Sequence, residues 1–353
     1  MWCIDCVRLV RRSKPEVIAD DGISKIVIFR ACIGRDAGDL MHGNDRAILR
    51  LRSRCPCCEG VEFRVLASEP YGAAPLRTYL EQYYQGRACV DELSGFDYEL
   101  VRCAQCTLAY QRAVPTTEML TEIYETWILP SEKDRLRRER DINDYCYMAE
   151  QVQFIARHFR SRPSDIRILD FGMGWAEWAD MARAFGCEVA GSELSLHRIK
   201  HARSIGIEVV DWDEIPKRKF DFINTEQVFE HLIEPLEVLR HLSRALNRGG
   251  LIRISVPDSR VALNNLSGHG SFSKLTASQI MPMAPLEHVN SFEYRSLVAF
   301  AKSVGLRVVR PSIVDLYNSS SGWFSIKNAL RLCLRPLYRH IYPKSTVVYF
   351  GRQ

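Results

Sequence analysis

The stretch IRILDFGMGWAEWADMARAFGCEVAGSE, residues 166–193, contains the pattern around which the chain is organised. A short apolar run leads into a turn on Gly172 and Gly174, and apolar residues at helical spacing follow. Gly186 marks the end of that helix, and a second apolar run leads to Glu193. The pattern predicts a strand, a glycine turn, a helix and a second strand, as in a doubly wound α/β sheet.

The acid after the second strand indicates a nucleoside site. A carboxylate about 20 residues beyond a glycine turn can accept hydrogen bonds from ribose hydroxyls, while backbone N–H groups of the turn approach the ligand. The alternative is a βαβ unit whose glycines only allow close packing. Ala176 replaces the third expected glycine, and no Lys follows in a GK[ST] pattern, so a phosphate-binding P-loop is disfavoured.

Three segments in this order resemble the class I S-adenosylmethionine-dependent methyltransferases: DFGMGWA (170–176) with Glu193, FDFINTEQVFEHL (220–232) and LNRGGLIRISVPD (246–258). The resemblance implies a mostly parallel, Rossmann-like sheet with an antiparallel terminal strand. It also implies S-adenosyl-L-methionine as cofactor, held by Asp170, Gly172, Gly174 and Glu193. By the same resemblance Asp211 lies near the adenine amino group with Trp212 beside the ring, although a turn Asp and a core Trp explain these two residues equally well.

The predicted fourth strand, residues 220–224, leads into Glu226, Glu230 and His231. Ligands of open sheets lie outside the carboxyl ends of the strands, so these side chains are expected near the transferred methyl group, with Glu226 at the cofactor. No [ND]PP[YFW] motif follows the strand. Its absence disfavours the enzymes that methylate base amino groups in nucleic acid.

Two Glu-His pairs, Glu230-His231 and Glu287-His288, offer a general base, because the pKa of histidine lies near neutrality. In the deoxysugar C-methyltransferases that the chain resembles, the later pair lies at the acceptor. This implies His288 as general base with Glu287 beside it, and His231 as a substrate-binding residue. The alternative for His288 is a residue at a helix start that only caps or packs. Those enzymes carry a further C-terminal domain that does not follow the last strand here, so O-methylation is as well supported as C-methylation.

Two cysteine pairs, Cys55 with Cys58 and Cys103 with Cys106, have the spacing of zinc knuckles. Cys57 could replace one partner, but the two-residue spacing favours Cys55 with Cys58; unrelated buried thiols are the alternative. The segment LVRCAQCTLAYQRAVPTTEMLTEIY, residues 100–124, is similar to the zinc-binding module that precedes many bacterial methyltransferases acting on sugars and related metabolites. The predicted Zn²⁺ is structural, because four thiolates leave no open position for a substrate.

Composition places the 353-residue chain among ordinary globular proteins, with 46% hydrophobic and 26% charged residues. Its net charge of +5 is modest, and its Lys and Arg residues alternate with acidic residues. This alternation is typical of solvated helix faces rather than of a nucleic-acid footprint. No apolar run reaches 18 residues and no leader pattern opens the sequence, so a cytoplasmic protein without stable membrane insertion is expected. Other basic residues form a stripe of possible functional interest: Lys327, Arg331, Arg335 and Arg339.

The predicted organisation has four parts: a poorly defined and poorly packed extension (1–50), a zinc-ribbon-like module (51–125), a linker with a leading helix (126–163) and the methyltransferase domain (164–353). Within the last part, residues 259–285 are rich in Gly, Ser and Met, which predicts a mobile lid over the substrate. The leading functional hypothesis is a small-molecule methyltransferase acting on a sugar or related metabolite. An RNA methyltransferase with a zinc module and a non-catalytic cofactor-binding homologue are the alternatives, and the oligomeric state is not predicted.

Overall fold

The computed structural model describes residues 39–42, 46–128, 140–269, 271–312 and 345–352. The basic stripe and residues 1–38 lie outside these ranges. The strands are β1 (Asp39–His42), β2 (Arg46–Leu51), β3 (Phe63–Pro70), β4 (Asp97–Cys103), β5 (Ala109–Gln111), β6 (Ala113–Pro115), β7 (Arg167–Phe171), β8 (Glu188–Ser192), β9 (Glu208–Val209), β10 (Phe220–Glu226), β11 (Leu246–Pro257), β12 (Asn290–Ser291), β13 (Leu306–Val309) and β14 (Ser345–Arg352). The α-helices are α1 (Ala74–Tyr83), α2 (Thr117–Glu122), α3 (Ile142–Phe159), α4 (Glu177–Ala184), α5 (Leu196–Ser204), α6 (Pro235–Ala245), α7 (Arg260–His269), α8 (Ala277–Ile280) and α9 (Tyr294–Ser303).

The chain divides into two compact units. Unit 1 takes Met1–Glu139, Phe229–Glu237 and Ser259–Phe300, and unit 2 takes Arg140–Val228, Val238–Asp258 and Ala301–Gln353. The domain boundaries expected from the sequence stay a prediction. Among the described helices, none combines the length and the apolar character needed to cross a lipid bilayer.

Unit 2 is built on a seven-stranded sheet in the order β13-β14-β11-β10-β7-β8-β9. The strands β7 to β11 run parallel, as expected for apolar runs joined by helices. β14 inserts between β11 and β13 and is antiparallel to both. This arrangement confirms the predicted Rossmann-like α/β fold and its antiparallel terminal strand. The carboxyl ends of β7, β8 and β10 lie side by side, because Asp170 is in register with Gly191 and with Asn224.

Local sequence explains how the helix before this sheet begins. The Asp141 side chain accepts hydrogen bonds from the amides of Asn143 and Asp144, and the Asp144 side chain accepts one from the Asp141 amide, which together form a capping box. The helix α3 that starts there is the predicted leading helix, and its apolar residues Met148, Val152 and Ile155 recur at helical spacing and are buried.

Unit 1 contains two small sheets, in the orders β1-β2-β6 and β12-β5-β4-β3. Ile48 and Leu49 are buried on β2, so packing in this part of the chain begins before residue 51. Large aromatic side chains fill the core, including Tyr71, Tyr98 and Trp127. The helix after the second knuckle begins at Thr117, because the Thr116 side chain accepts a hydrogen bond from the Met119 amide and caps it.

The prediction of a loose lid over residues 259–285 is wrong for the described part of that segment. It contains α7, α8 and two short 3₁₀ helices, and its apolar residues Leu263, Leu266 and Phe272 are fully buried in the core of unit 1. Phe272 is anchored further by its backbone amide, which donates to the Glu69 carboxylate at 2.8 Å. The Gly and Ser content suggested a loop, but the apolar spacing of α7 and the burial of Phe272 outweigh that signal.

Candidate active site

The predicted glycine turn lies directly after β7. Gly172 and Gly174 have φ angles of 72° and 57°, the left-handed region that glycine enters at no steric cost. A Cβ on Gly172 would lie 2.6 Å from Val228 Cγ2, so a larger residue does not fit there. A Cβ on Gly174 would meet nothing within 4 Å, which means that the space beside the turn is open. An open space bordered by backbone N–H groups suits a nucleoside-type ligand.

Glu193 is held against this turn. Its carboxylate accepts hydrogen bonds from the amide of Gly174 at 2.9 Å, from Leu194 at 2.9 Å and from Ser195 at 3.1 Å. Arg198 lies 3.4 Å from the same carboxylate. The sequence placed Glu193 beside the glycines by spacing alone, and the structure brings them together.

Asp170 belongs to a row of polar side chains that crosses the central strands. Asn224 Nδ2 donates to Asp170 Oδ1 at 2.9 Å, and Arg253 in turn donates to Asn224 Oδ1 at 2.9 Å. Burial raises the pKa of Asp170 to about 7, although the hydrogen bond from Asn224 opposes this rise. Sequence reasoning missed Asn224 and Arg253. The available signal was a polar residue beside apolar ones within each of the two strands, Asn224 after Ile223 and Arg253 between Ile252 and Ile254.

Glu226, which was predicted at the cofactor, is engaged by its neighbours. Arg253 forms an ion pair with Glu226 Oε2, and the Ser255 hydroxyl donates to Glu226 Oε1 at 3.0 Å. Both carboxylate oxygens therefore have partners within the sheet, and a role of Glu226 in ligand binding stays a prediction.

Trp212 and Asp211 occupy the loop after β9. The Trp212 ring stacks on the His241 ring with centroids 3.6 Å apart and an interplanar angle of 7°. His241 Nε2 also donates to the Trp212 carbonyl at 2.8 Å, so one face of the indole is covered by a side chain of the same unit. Asp211 is exposed and begins a short 3₁₀ helix, where its backbone carbonyl accepts from the amides of Glu214 and Ile215. This geometry suits both the adenine role and the turn role considered above.

Unit 1 brings the two Glu-His pairs together. His231 and His288 have ring centroids 4.8 Å apart in an edge-to-face arrangement. His231 Nδ1 donates to the Glu287 carbonyl at 3.1 Å, and His288 Nδ1 donates to the Met281 carbonyl at 2.6 Å. Because a carbonyl can only accept, both neutral rings carry the proton on Nδ1 and the lone pair on Nε2. Burial lowers the pKa of His288 to about 4, so its imidazole is neutral at higher pH.

The Glu287 carboxylate is fixed by two tyrosines of the stretch between the knuckles. Tyr84 donates to Glu287 Oε1 at 2.8 Å and Tyr83 donates to Oε2 at 3.2 Å. Tyr79 stacks on Tyr83 with centroids 5.5 Å apart, and Tyr84 packs edge-on against Trp127. The structure gives Tyr83 and Tyr84 a definite role in unit 1, which is to orient Glu287.

Three buried polar side chains that sequence reasoning missed hold the segments bearing the Glu-His pairs: Arg52, Gln111 and Asn290. Arg52 donates to the carbonyls of Ile233 at 2.7 Å and Val289 at 3.1 Å. Asn290 donates to the carbonyls of Phe229 and Leu232. Gln111 donates to the carbonyls of Ala284 and His288 and accepts from the Leu286 amide. None of the three belongs to a recognisable motif, so only the folded chain reveals them.

The four predicted zinc ligands converge in unit 1. Cys55 Sγ lies 3.5 Å from Cys106 Sγ, and Cys58 Sγ lies 3.5 Å from Cys103 Sγ. All four sulfur atoms lie within 4.8 Å of one another, whereas Cys57 is buried outside the group. Sulfurs bound to one Zn²⁺ at about 2.3 Å with tetrahedral angles are roughly 3.8 Å apart, so this donor set fits the ion.

Residues 137–310, just under half of the chain, match the family model described as a methyltransferase domain. The ubiquinone biosynthesis O-methyltransferase of Colwellia psychrerythraea is 23% identical over 214 residues, which are 53% of this chain and 84% of that protein.

Two solved structures also align with part of the chain. The plantazolicin methyltransferase BpumL in complex with SAH aligns at a TM-score of 0.43 and 16% identity, covering 66% of this chain and 94% of that one. The plantazolicin methyltransferase BamL, in complex with a triazolic desmethylPZN analog and SAH, aligns at a TM-score of 0.46 and 16% identity over 66% of this chain and 93% of that one.

Proposed function

We propose that this chain, in which residues 137–310 match a methyltransferase domain, is a class I S-adenosylmethionine-dependent enzyme that transfers a methyl group to a small-molecule acceptor, a sugar or related metabolite. The observation that carries the proposal is the hydrogen bond from the Gly174 amide to the Glu193 carboxylate, at the open end of the parallel sheet. It fixes an acid beside a backbone turn at the point where doubly wound sheets bind nucleosides.

In this proposal Gly172 and Gly174 give the cofactor access to the backbone, and Glu193 accepts hydrogen bonds from its ribose hydroxyls. Asp170 supports the turn from the end of β7, and the exposed Asp211 with Trp212 is assigned to the adenine. When bound, S-adenosylmethionine supplies an electrophilic methyl group. The residues of the chain then have to orient the acceptor, exclude water and remove a proton from it.

Proton removal is assigned to the histidines of unit 1, with His288 as the base that the resemblance suggests. A neutral imidazole with its lone pair on Nε2 is the form that a base needs, and the Met281 carbonyl fixes His288 in that form. Glu287, oriented by Tyr83 and Tyr84, is assigned to a hydroxyl of the acceptor, and His231 to substrate binding. A cluster of three side chains that can form hydrogen bonds with hydroxyl groups, His231, Glu287 and His288, suits a polar, sugar-like acceptor.

The same proposal gives the four cysteines Cys55, Cys58, Cys103 and Cys106 a structural Zn²⁺. A closed set of four thiolates has no position for substrate, so the ion would stabilise unit 1 rather than take part in chemistry.

The test is calorimetric titration of S-adenosylmethionine and S-adenosylhomocysteine into the zinc-loaded full chain, followed by turnover on a panel of hydroxylated acceptors. Glu193→Ala is expected to weaken cofactor binding at least tenfold, because the ribose partner is lost. Glu188→Ala, an exposed acid on the same segment, is the matched control and should bind normally. His288→Ala should keep cofactor binding and lose turnover. A folded, zinc-loaded protein that binds neither nucleoside would overturn the proposal.

A further inference from the structure

Three potential metal ligands of unit 1 converge at the histidine pair. Glu230 Oε1 lies 4.0 Å from His231 Nε2, and the ligand atoms of Glu230, His231 and His288 all lie within 4.8 Å of one another. The group is largely enclosed, since Glu230 is 1% exposed and His288 is 7% exposed. It is separate from the four-cysteine cluster, with which it shares no residue.

The hydrogen bonds of the two rings prepare them for coordination. Each Nδ1 donates to a backbone carbonyl, that of Glu287 for His231 and that of Met281 for His288. Such a bond fixes the tautomer and the ring orientation and leaves Nε2 as the coordinating atom, which is the usual arrangement around histidine ligands. Ligand atoms about 2.1 Å from one ion are roughly 3.0–3.4 Å apart, so small rotations of the Glu230 and His231 side chains close the set.

We propose that Glu230, His231 and His288 bind one divalent transition-metal ion. Two imidazole nitrogens and one carboxylate are a ligand set for such ions, and they leave coordination positions open for oxygens from outside the protein. The ligand expected in these positions is a hydroxyl of the acceptor.

The role of the ion in catalysis rests on the proposed function, whereas binding of the ion does not. Coordination of an acceptor hydroxyl lowers its pKa, so its proton leaves to water and the oxygen becomes the nucleophile. The oxygen–carbon bond then forms as the carbon–sulfur bond of the sulfonium breaks, and S-adenosylhomocysteine leaves as the neutral thioether. This inference changes the role assigned to His288 in the proposed function: with the ion bound, His288 would act as a ligand, and the proton would go to water instead of to His288.

The experiment uses the full chain saturated with one equivalent of Zn²⁺, so that the cysteine cluster is filled, and then titrates Mn²⁺. Electron paramagnetic resonance measures the free ion, and calorimetry measures the stoichiometry. We expect one Mn²⁺ per chain and at least tenfold weaker binding in Glu230→Gln, His231→Ala and His288→Ala. His158→Ala, which removes a histidine of α3 outside the group, is the control and should bind normally.

Nitrogen couplings from two histidines in pulsed spectra of the Mn²⁺ complex would identify the ligands, and they do not depend on activity. Absence of Mn²⁺ binding in a protein that binds S-adenosylmethionine would overturn this inference and leave the proposed function standing. Mn²⁺ binding without cofactor binding would keep the metal site and overturn the proposed function. Binding that survives all three ligand substitutions would place the ion elsewhere and also refute the inference.

Discussion

Asn290 is the side chain whose loss we expect to disturb the segment 229–232 most. It is fully buried, and its Nδ2 donates to the carbonyls of Phe229 at 2.8 Å and Leu232 at 2.6 Å. Its Oδ1 accepts from Arg52 at 3.1 Å. Asn290→Leu keeps the number and the branching of the side-chain heavy atoms but has no donor and no acceptor, so its main effect is to remove the hydrogen bonds.

The magnitude follows from the groups that would be left behind. The buried Phe229 carbonyl loses the donor from Asn290, and a stranded group of this kind costs about 1–3 kcal/mol. The partly buried Leu232 carbonyl loses its shorter hydrogen bond and keeps a longer one from Arg52, at 3.4 Å. Arg52 loses less, because it still donates to the Val289 carbonyl at 3.1 Å. We expect the free energy of unfolding to fall by about 3 kcal/mol, against a total of about 5–15 kcal/mol for a typical domain. The variant should therefore fold but be clearly less stable.

The assay is urea unfolding of the zinc-loaded chain, with hydrogen–deuterium exchange measured on peptides that span residues 229–233. Asn247→Leu is the matched control, because Asn247 is half-buried and donates a single bond, to the Asp221 carboxylate at 2.6 Å. That control should lose about 1 kcal/mol and leave the exchange of residues 229–233 unchanged. If Asn290→Leu lost no more stability than the control and exchanged no faster, the reasoning would be refuted.

Three further predictions concern other parts of the chain. Cys106→Ser should lower the zinc content by most of one equivalent and destabilise unit 1, whereas the exposed Cys89→Ser should leave both unchanged, as measured by metal analysis and thermal unfolding. Gly172→Ala should weaken S-adenosylmethionine binding at least tenfold and lower the free energy of unfolding by about 1–2 kcal/mol, because the φ of Gly172 is 72° and the added Cβ would meet Val228. The control is Gly268→Ala, which has open space around the added Cβ and should not weaken binding. Burial raises the pKa of Asp170 from 3.8 to about 7, so between these values the folded protein holds a proton that the unfolded chain has released. Stability should therefore fall as pH rises from about 4 to 7, by at most about 4 kcal/mol, and Asp170→Asn should remove this part of the slope in urea unfolding series; an identical slope in both proteins would contradict the assignment.

The sequence predicted the parts of the fold that depend on local patterns. The turn at Gly172 and the position of Glu193 follow from spacing and apolar runs, the antiparallel last strand is what the resemblance to the class I methyltransferases implies, and the structure has each of them. The same reasoning failed for residues 259–285, where Gly and Ser content suggested a loop although Leu263 and Phe272 are core residues. Composition is a weak guide to a segment whose burial is decided by distant strands and helices of the same unit.

The polar residues that hold the candidate site could not be predicted for a related reason. A buried Asn or Arg has no sequence period, because its partners are backbone carbonyls far away along the chain. Asn290 and its partner Phe229 are 61 residues apart, and Arg52 and Val289 are 237 residues apart. A buried polar group without a hydrogen-bond partner is costly, so the folded chain has to supply a partner for each one. Such residues are therefore identified only when their partners in the folded chain are known.

Some of these hydrogen bonds connect the chain around the cysteine cluster to the segments that carry the two Glu-His pairs. Arg52 precedes Cys55 by three residues and Gln111 follows Cys106 by five, so both side chains extend from the chain that the thiolates hold together. Their partners are the carbonyls of Ile233, Val289 and His288, in the segments that carry the two Glu-His pairs. If the cluster holds the proposed Zn²⁺, the ion would affect the proposed chemistry of the histidines without an open coordination position, because it would fix the donors that hold their segments. On this reasoning, loss of zinc should first increase backbone exchange around residues 231–233 and 286–289, before unit 1 unfolds as a whole.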